Sequence, residues 1–150
     1  MLNIITHPNP ILRKKAQKAP NPLDPEIQAL IPEMVKIMKK SDGVGLAAPQ
    51  IGQSIRLVVV SHKDGDLVLI NPQIIKKSIL KDWDEEGCLS VPGKSGEVKR
   101  CKKIKVKFVN EKNFPRMFTA IGLLARVIQH EVDHLDGILF IDKARKIRNI

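Results

Sequence analysis

The sequence predicts an α+β fold in which antiparallel sheets pack around a metal-binding helix near the end of the chain. Apolar residues recur at helical spacing in two stretches, around residues 27–38 and 121–135. Between them, apolar residues either form short runs on both sides of a turn or alternate with polar ones, as they do in strands. A run of strands between an early and a late helix favours antiparallel sheet over alternating βαβ units.

The first helix is predicted to start at Asp24-Pro25-Glu26. Aspartate is a good N-cap, and proline is tolerated in the first helical turn because its missing N–H has no partner there. Apolar residues then follow at three- and four-residue steps: Ile27, Leu30, Ile31, Met34, Val35 and Met38. Pro32 lies inside this pattern and lacks a backbone donor, so we expect it to kink or restart the helix.

Three strands are predicted in the middle of the chain. Residues 54–61 and 66–70 flank Lys63-Asp64-Gly65, which is typical of two strands joined by a turn. Further on, apolar residues alternate with lysines, as in a strand with one buried face. The apolar members are Ile104, Val106 and Phe108, and the lysines are Lys103, Lys105 and Lys107.

The late helix contains His130-Glu131-Val132-Asp133-His134. Thr119 could cap its start, and Gly137 stands where a helix usually ends. Residues four apart share one helix face, so the two imidazoles could bind one divalent metal while Glu131 handles a proton. The alternative is a chance match on a surface helix, although two of the four histidines in the chain fall in this one turn.

A catalytic metal site of this kind needs a third protein ligand and keeps one position open. Downstream of His134 the chain offers only Asp136 and Asp142 as carboxylates, and Asp136 is too close along the helix to reach the same metal. Upstream, Cys88 follows Gly87 at a turn, where a thiolate could reach a metal that keeps it deprotonated. The alternative is a buried thiol that packs as a small apolar residue.

Residues 43–50 read Gly-Val-Gly-Leu-Ala-Ala-Pro-Gln. The glycines permit close approach of another backbone, and the Gln50 amide could donate a hydrogen bond to an oxyanion. An ordinary loop after a helix is the alternative.

Together, these segments resemble the peptide deformylase family. Its three signatures are Gly-x-Gly-Leu-Ala-Ala-x-Gln, Glu-Gly-Cys-Leu-Ser and Gln-His-Glu-x-Asp-His-Leu-x-Gly. They match residues 43–50, 86–90 and 129–137 in the same order and without a mismatch. Residues 7–13 and 69–72 are similar to further stretches of the family, so the resemblance spans nearly the whole chain. It implies one deformylase-like catalytic domain over residues 1–150.

The resemblance implies hydrolytic removal of the N-formyl group from formyl-methionyl peptides, with release of formate. It places the metal ligands at Cys88, His130 and His134. The family uses Fe²⁺ in cells and accepts Zn²⁺, Ni²⁺ or Co²⁺. We therefore expect one divalent ion per chain, and these ligand types do not decide which of the metals it is. Metal-bound hydroxide would be the nucleophile, because a metal lowers the pKa of water from about 15.7 toward about 7.

The resemblance also assigns Glu131 as general acid/base, with the Gln50 side chain and the Leu89 N–H as oxyanion donors. Its methionine pocket corresponds to Val44, Gly45, Glu86, Leu123 and Val127, of which the three large apolar residues could instead be plain core. Two positions depart from many members. Ser95 stands where these carry an arginine that holds the peptide backbone. Arg126 stands where some members have an apolar residue, so it either rims the pocket or faces water.

Composition narrows the partners. Two cysteines provide no disulfide framework, which fits a reducing, cytoplasmic compartment, and for Cys101 in its lysine-rich strand a buried thiol is the preferred interpretation. We see no membrane span and no signal-peptide pattern. The net charge of +10 favours weak contact with the ribosome, or only a solvated surface. The aromatic content of 3% argues against base stacking, so no specific DNA binding is expected.

Two other functions remain alternatives. A metallopeptidase that cuts internal peptide bonds would share the His-Glu-x-x-His chemistry, but would normally use a different third ligand. A non-enzymatic relative could retain the metal for stability, or act as a basic ribosome-binding module. The tail at residues 143–148 is short compared with the C-terminal helix that many family members use in ribosome docking, which weakens any docking claim.

Overall fold

The computed structural model describes residues 2–150. Its helices and strands are α1 (Pro25–Lys40), β1 (Gly45–Ala47), β2 (Leu57–Val60), β3 (Leu67–Lys77), β4 (Lys81–Cys88), β5 (Val91–Cys101), β6 (Lys103–Val109), β7 (Pro115–Ile121), α2 (Gly122–Leu135) and β8 (Arg145–Asn149). Short 3₁₀ turns add Pro10–Arg13, Ala48–Ile51 and Phe140–Asp142.

The strands form two antiparallel sheets. One has five strands in the order β1-β2-β3-β6-β7, and the other has three in the order β4-β5-β8. The apolar side of α2 packs against the larger sheet, where Ala125 and Ile128 join Val58, Leu69 and Val106 in one buried cluster. The predicted α+β class, with antiparallel sheet around the late helix, is therefore confirmed.

Helix α1 begins where the sequence predicts. The Asp24 carboxylate accepts a hydrogen bond from the Glu26 N–H at 2.9 Å, and proline follows the cap. The expected restart at Pro32 is wrong, because α1 runs on to Lys40 as one helix. Burial of the apolar side of α1 against the larger sheet outweighs the single backbone hydrogen bond that Pro32 cannot make.

The predicted strand pair is confirmed by β2 and β3, with Leu57 opposite Ile70 and Val60 opposite Leu67. Strand β3 continues well beyond the predicted end at residue 70. Asn71 adopts a positive φ of 52° and bonds the backbone of Ala19, and the register of β3 against β6 shifts there, between Ile70 and Gln73. Asn-Pro looks like a turn in the sequence, but here it is a bulge within a strand.

Thr119 does not cap α2, so this prediction is wrong. The helix begins at Gly122 and its N-cap is Ile121. Thr119 lies in β7, opposite Lys105. Residues 115–121 all pair with β6, so non-local pairing places the predicted cap and the first predicted helical residue, Ile121, in a strand. Gly122, at a φ of 62°, then turns the chain into α2, and Gly137, at a φ of 75°, follows the helix end as predicted.

Gly137 should be the least replaceable glycine outside the site. A Cβ there would lie 2.5 Å from the Arg13 carbonyl oxygen. Gly137→Ala should therefore lower the free energy of unfolding by more than Gly122→Ala, whose positive φ costs about 1–2 kcal/mol but whose Cβ would meet nothing within 4 Å. Thermal and urea unfolding measure both losses, and equal losses would contradict the steric argument.

Strand β8 was not predicted, since residues 143–148 looked like a short basic tail. It pairs with β5, and its basic residues form ion pairs with the neighbouring strands, including Arg145 with Glu97 and Arg148 with Glu85.

No helix within residues 2–150 has the combination of length and hydropathy that membrane crossing requires.

Candidate metal centre and active site

Two elements carry the three candidate metal ligands. His130 and His134 project from the same face of α2, and Cys88 ends β4 just before the turn into β5. One ligand atom from each residue lies within 4.8 Å of the other two, and Cys88 Sγ is 3.2 Å from His134 Nε2. A thiolate with two imidazoles is a donor set that suits zinc, iron and related divalent metals.

The charges around the ligands favour a cation. Burial alone lowers the pKa of His130, but its hydrogen bond to Cys88, the charge of Glu131 and the hydrogen bond to Glu86 together raise it to about 10. The pKa of His134 is lowered well below its usual value, first by burial and then by the charge of His130. The groups that stabilise a proton on His130 would equally stabilise a divalent ion, so the residues fit a metal.

Glu86 stands directly behind His130. Its Oε1 accepts from His130 Nδ1 at 2.8 Å, which leaves Nε2 as the nitrogen available to a metal. Arg100 donates to both oxygens of the Glu86 carboxylate at 2.8 and 2.9 Å, and Arg126 donates to Oε2 at 2.7 Å. Burial raises the pKa of Glu86, but the hydrogen bonds from Arg100 and His130 outweigh it and hold the pKa far below its usual range.

The two arginines extend this buried network. Of the two interpretations of Arg126 from the sequence, the one in which it faces water is wrong. It is buried on the cleft wall and also bonds Asp82 Oδ1 at 3.0 Å. Arg100 bonds Asp133 Oδ2 at 2.6 Å. The sequence analysis gave neither Arg100 nor Asp133 a role. Asp133 lies within the matched signature at residues 129–137, and this position could have marked it as a functional residue.

Glu131 is buried beside the ligands. Its Oε1 has no hydrogen-bond partner within the described part of the chain, and burial raises its pKa to about 7. Gly45 makes room for this carboxylate, because a Cβ on Gly45 would lie 2.5 Å from Glu131 Oε2 and 2.9 Å from Val127 Cγ1. A pKa near neutrality is suited to a group that both accepts and delivers a proton.

The Gln50 amide is fixed in orientation. Its Oε1 accepts from the Ala47 N–H at 2.9 Å, and its Nε2 donates to Ser90 Oγ at 3.1 Å and toward Cys88 Sγ at 3.6 Å. The donor end of the amide therefore faces the sulfur of the candidate ligand Cys88. Leu89 lies between Cys88 and Ser90 in the turn after β4, which brings its backbone to the same side of the cleft.

A cleft of about 360 Å³ joins these groups. Its lining includes all the residues assigned to the methionine pocket, namely Val44, Gly45, Glu86, Leu123 and Val127. It also includes Gln50, Cys88, Leu89, His130 and Glu131. His134 and Ser95 are not part of the lining, although Ser95 donates a hydrogen bond to the carboxylate of Glu85, which is.

The fold and the clustered Cys-His-His donors define a metal-dependent hydrolase with its site on a His-Glu-x-x-His helix. The family model described as polypeptide deformylase matches residues 1–149. The peptide deformylases of Dictyoglomus thermophilum and Desulfitobacterium hafniense are 48% and 47% identical over 136 residues, which are 91% of this chain and 88% and 89% of theirs.

Solved structures agree with the sequence relatives. Peptide deformylase from Thermotoga maritima has a TM-score of 0.93 at 40% identity, covering 97% of this chain and 98% of that one. The Synechococcus elongatus enzyme in complex with actinonin also scores 0.93, at 39% identity, covering 97% and 79%. The chain belongs to the polypeptide deformylase family, whose metal-dependent members remove the formyl group from N-terminal methionine.

Proposed function

We propose that residues 1–150 act as one catalytic domain that removes the N-formyl group from the formyl-methionine of newly made peptides and releases formate. The observation that carries this proposal is the convergence of Cys88, His130 and His134, with ligand atoms within 4.8 Å of one another, beside the buried and unpartnered Glu131. Membership of the deformylase family supplies the reaction.

Cys88, His130 and His134 would hold one divalent ion, Fe²⁺ in cells with Zn²⁺, Ni²⁺ or Co²⁺ as substitutes. When bound, this ion supplies Lewis acidity, which lowers the pKa of a water molecule and polarises a carbonyl oxygen. The mixed sulfur and nitrogen donor set supports this range of metals.

Glu131 is the general acid/base. Its free Oε1 takes a proton from the attacking water, and the same carboxyl group later delivers a proton to the leaving amine of methionine. A pKa of about 7 allows both transfers near neutral pH. One Gln50 Nε2–H is held by Ser90 Oγ, and the other makes only a long contact of 3.6 Å to Cys88 Sγ. This second N–H and the Leu89 N–H donate to the oxygen of the formyl group as it becomes negative, and losing one such donor costs roughly 3–4 kcal/mol of barrier.

The methionine side chain occupies the apolar part of the cleft. Val44, Leu123 and Val127 contact it, and Gly45 leaves room beside them for the Glu131 carboxylate. Glu86 contributes to the wall through its aliphatic carbons, since its carboxylate is bound by His130 and two arginines. Ser95 offers no counterpart to the arginine that many relatives use to hold the peptide backbone.

The experiment that tests the function is anaerobic purification with metal analysis, followed by formate assay on formyl-Met-Ala-Ser, its acetylated analogue and the unformylated peptide. Formate release from the first alone is the expected result. Cleavage of internal peptide bonds would instead favour the metallopeptidase. One equivalent of metal without hydrolysis of any formyl peptide would favour the non-enzymatic relative.

Cys88→Ala should lose metal affinity without unfolding. The thiolate is one of three protein ligands, and its removal leaves only the two imidazoles on α2. Metal content after dialysis should fall well below one equivalent per chain, while Cys101→Ala, the matched control at the buried thiol, should retain its metal. Full metal occupancy in Cys88→Ala would remove Cys88 from the ligand set.

Gly45→Ala should reduce turnover without changing metal content. The new methyl group would displace the Glu131 carboxylate and Val127, which lie within 3.0 Å of its position. Because a misplacement of about 1 Å can cost 10²-fold, we expect a loss of about that size in kcat/KM. Gly87→Ala is the control on the opposite cleft wall, where the nearest atom to a Cβ is the Lys94 carbonyl oxygen at 3.6 Å.

For partners and location, we propose a cytoplasmic enzyme that meets its substrates as they leave the ribosome, without specific DNA binding. The net charge of +10 supports a weak contact with the ribosome. Lys103, Lys105 and Lys107 are candidates for this contact, because they alternate with the buried Ile104, Val106 and Phe108 and so share the less buried face of β6. Such a contact should weaken steeply as salt concentration rises.

A further inference from the structure

Ile150 contributes to the cleft. Strand β8 pairs with β5, and beyond it the Ile150 N–H donates to the Gly93 carbonyl oxygen at 2.9 Å. This bond brings Ile150 into the cleft lining, beside Gly93 and Lys94. None of the three signature segments contains this residue.

Strand β8 is held in place by its neighbours. Arg148 pairs with Glu85 of β4 at 3.0 Å, and Arg145 pairs with Glu97 of β5 at 3.1 Å. The Arg145 guanidinium also lies 3.7 Å over the Trp83 ring. These contacts hold β8 against β4 and β5, and the strand in turn keeps Ile150 at the edge of the cleft.

Ile150 belongs to an apolar rim at the open side of the cleft. Among the apolar side chains that line the cleft, Val44, Leu123 and Ile150 are more than half exposed, at 51%, 68% and 80%. Glu131, at 4%, marks the closed end where the formyl group would react. Exposed apolar area around a concave site is area that a ligand can remove from water.

We infer that Ile150 is a specificity-determining residue, which contacts the side chain of one of the first two residues after formyl-methionine and favours apolar residues there. The inference rests on the proposed function, because the formyl end must occupy the closed end of the cleft. The peptide then leaves across the exposed rim. Val44 and Leu123 are taken by the methionine pocket, so Ile150 is the rim residue left to contact the next side chains of the peptide.

The test compares wild type, Ile150→Ala and Ile79→Ala as metal-loaded enzymes. Ile79 is the matched control, an isoleucine that is 97% exposed and lies outside the cleft lining. Each enzyme is assayed for formate release from formyl-Met-Leu-Leu, formyl-Met-Ser-Ser and formyl-Met amide. For Ile150→Ala we expect kcat/KM on the leucine peptide to fall about three- to tenfold, mainly through KM. Changes on the other two substrates should stay under about twofold.

Two results would overturn the inference. Unchanged kinetics on the leucine peptide would show that Ile150 does not contact the substrate. An equal loss on all three substrates, formyl-Met amide included, would show a general structural effect instead. Failure of wild type to release formate from any of the three would defeat the proposed function itself, which separates the two failures.

Discussion

Glu131→Ala should abolish deformylation while the protein keeps its metal. The three ligand side chains are untouched, so metal analysis should still give about one equivalent per chain. The variant loses the only group assigned to accept the proton of the attacking water and return it to the leaving amine. Positioned acid/base groups contribute about 10²–10⁴-fold, and kcat should fall by at least that range. Activity near wild type in a metal-loaded variant would remove Glu131 from the mechanism.

The same residue should show a cost in stability. Glu131 is buried and its Oε1 has no partner in the described part of the chain, which is an unfavourable place for a carboxylate. Glu131→Gln, which keeps the shape without the charge, should therefore unfold at the same temperature as wild type or higher. Glu33→Gln on the exposed side of α1 is the control, with no expected change in either activity or melting temperature. A marked loss of stability in Glu131→Gln would indicate a structural role instead.

Local patterns predicted those parts of the fold that depend on neighbours in sequence. The N-cap at Asp24, the alternation from Lys103 to Phe108 and the i, i+4 pair of histidines are all set within a few residues. The sequence placed His130 and His134 on one helix face without any knowledge of the sheet. Spacing alone could not show that Cys88 lies beside these histidines, and its assignment as a third ligand depended on the family resemblance.

The missed features depend on partners far away in the chain. Thr119 has the chemistry of a cap, yet β6 pairs with its strand, and this non-local choice moved the start of α2. Arg126 looked like a surface or rim residue because its partner Asp82 is 44 positions away. Strand β8 has no apolar alternation, because ion pairs and sheet hydrogen bonds hold it, and no hydrophobic period could reveal it.

The second large effect is expected at Glu86, whose carboxylate is the common acceptor for three buried cationic or donor groups. Glu86→Gln leaves Arg100, Arg126 and the His130 Nδ1–H competing for one neutral oxygen. Removing one partner from a buried ion pair costs about 3–5 kcal/mol, so the free energy of unfolding should fall by that order. Metal affinity should fall about 10- to 100-fold, because His130 loses the group that orients its ring.

The neighbouring residue provides the control. Glu85 pairs with Arg148 at the protein surface, so Glu85→Gln should change the free energy of unfolding by no more than about 1 kcal/mol. A double variant, Glu86→Gln with Arg126→Met, should recover part of the stability, since one buried guanidinium no longer needs a counter-charge. Metal affinity should stay low in the double variant, because His130 still lacks its carboxylate. Urea unfolding and competitive metal titration measure the two effects separately. Full recovery of metal affinity would show that Arg126, and not Glu86, governs the orientation of His130.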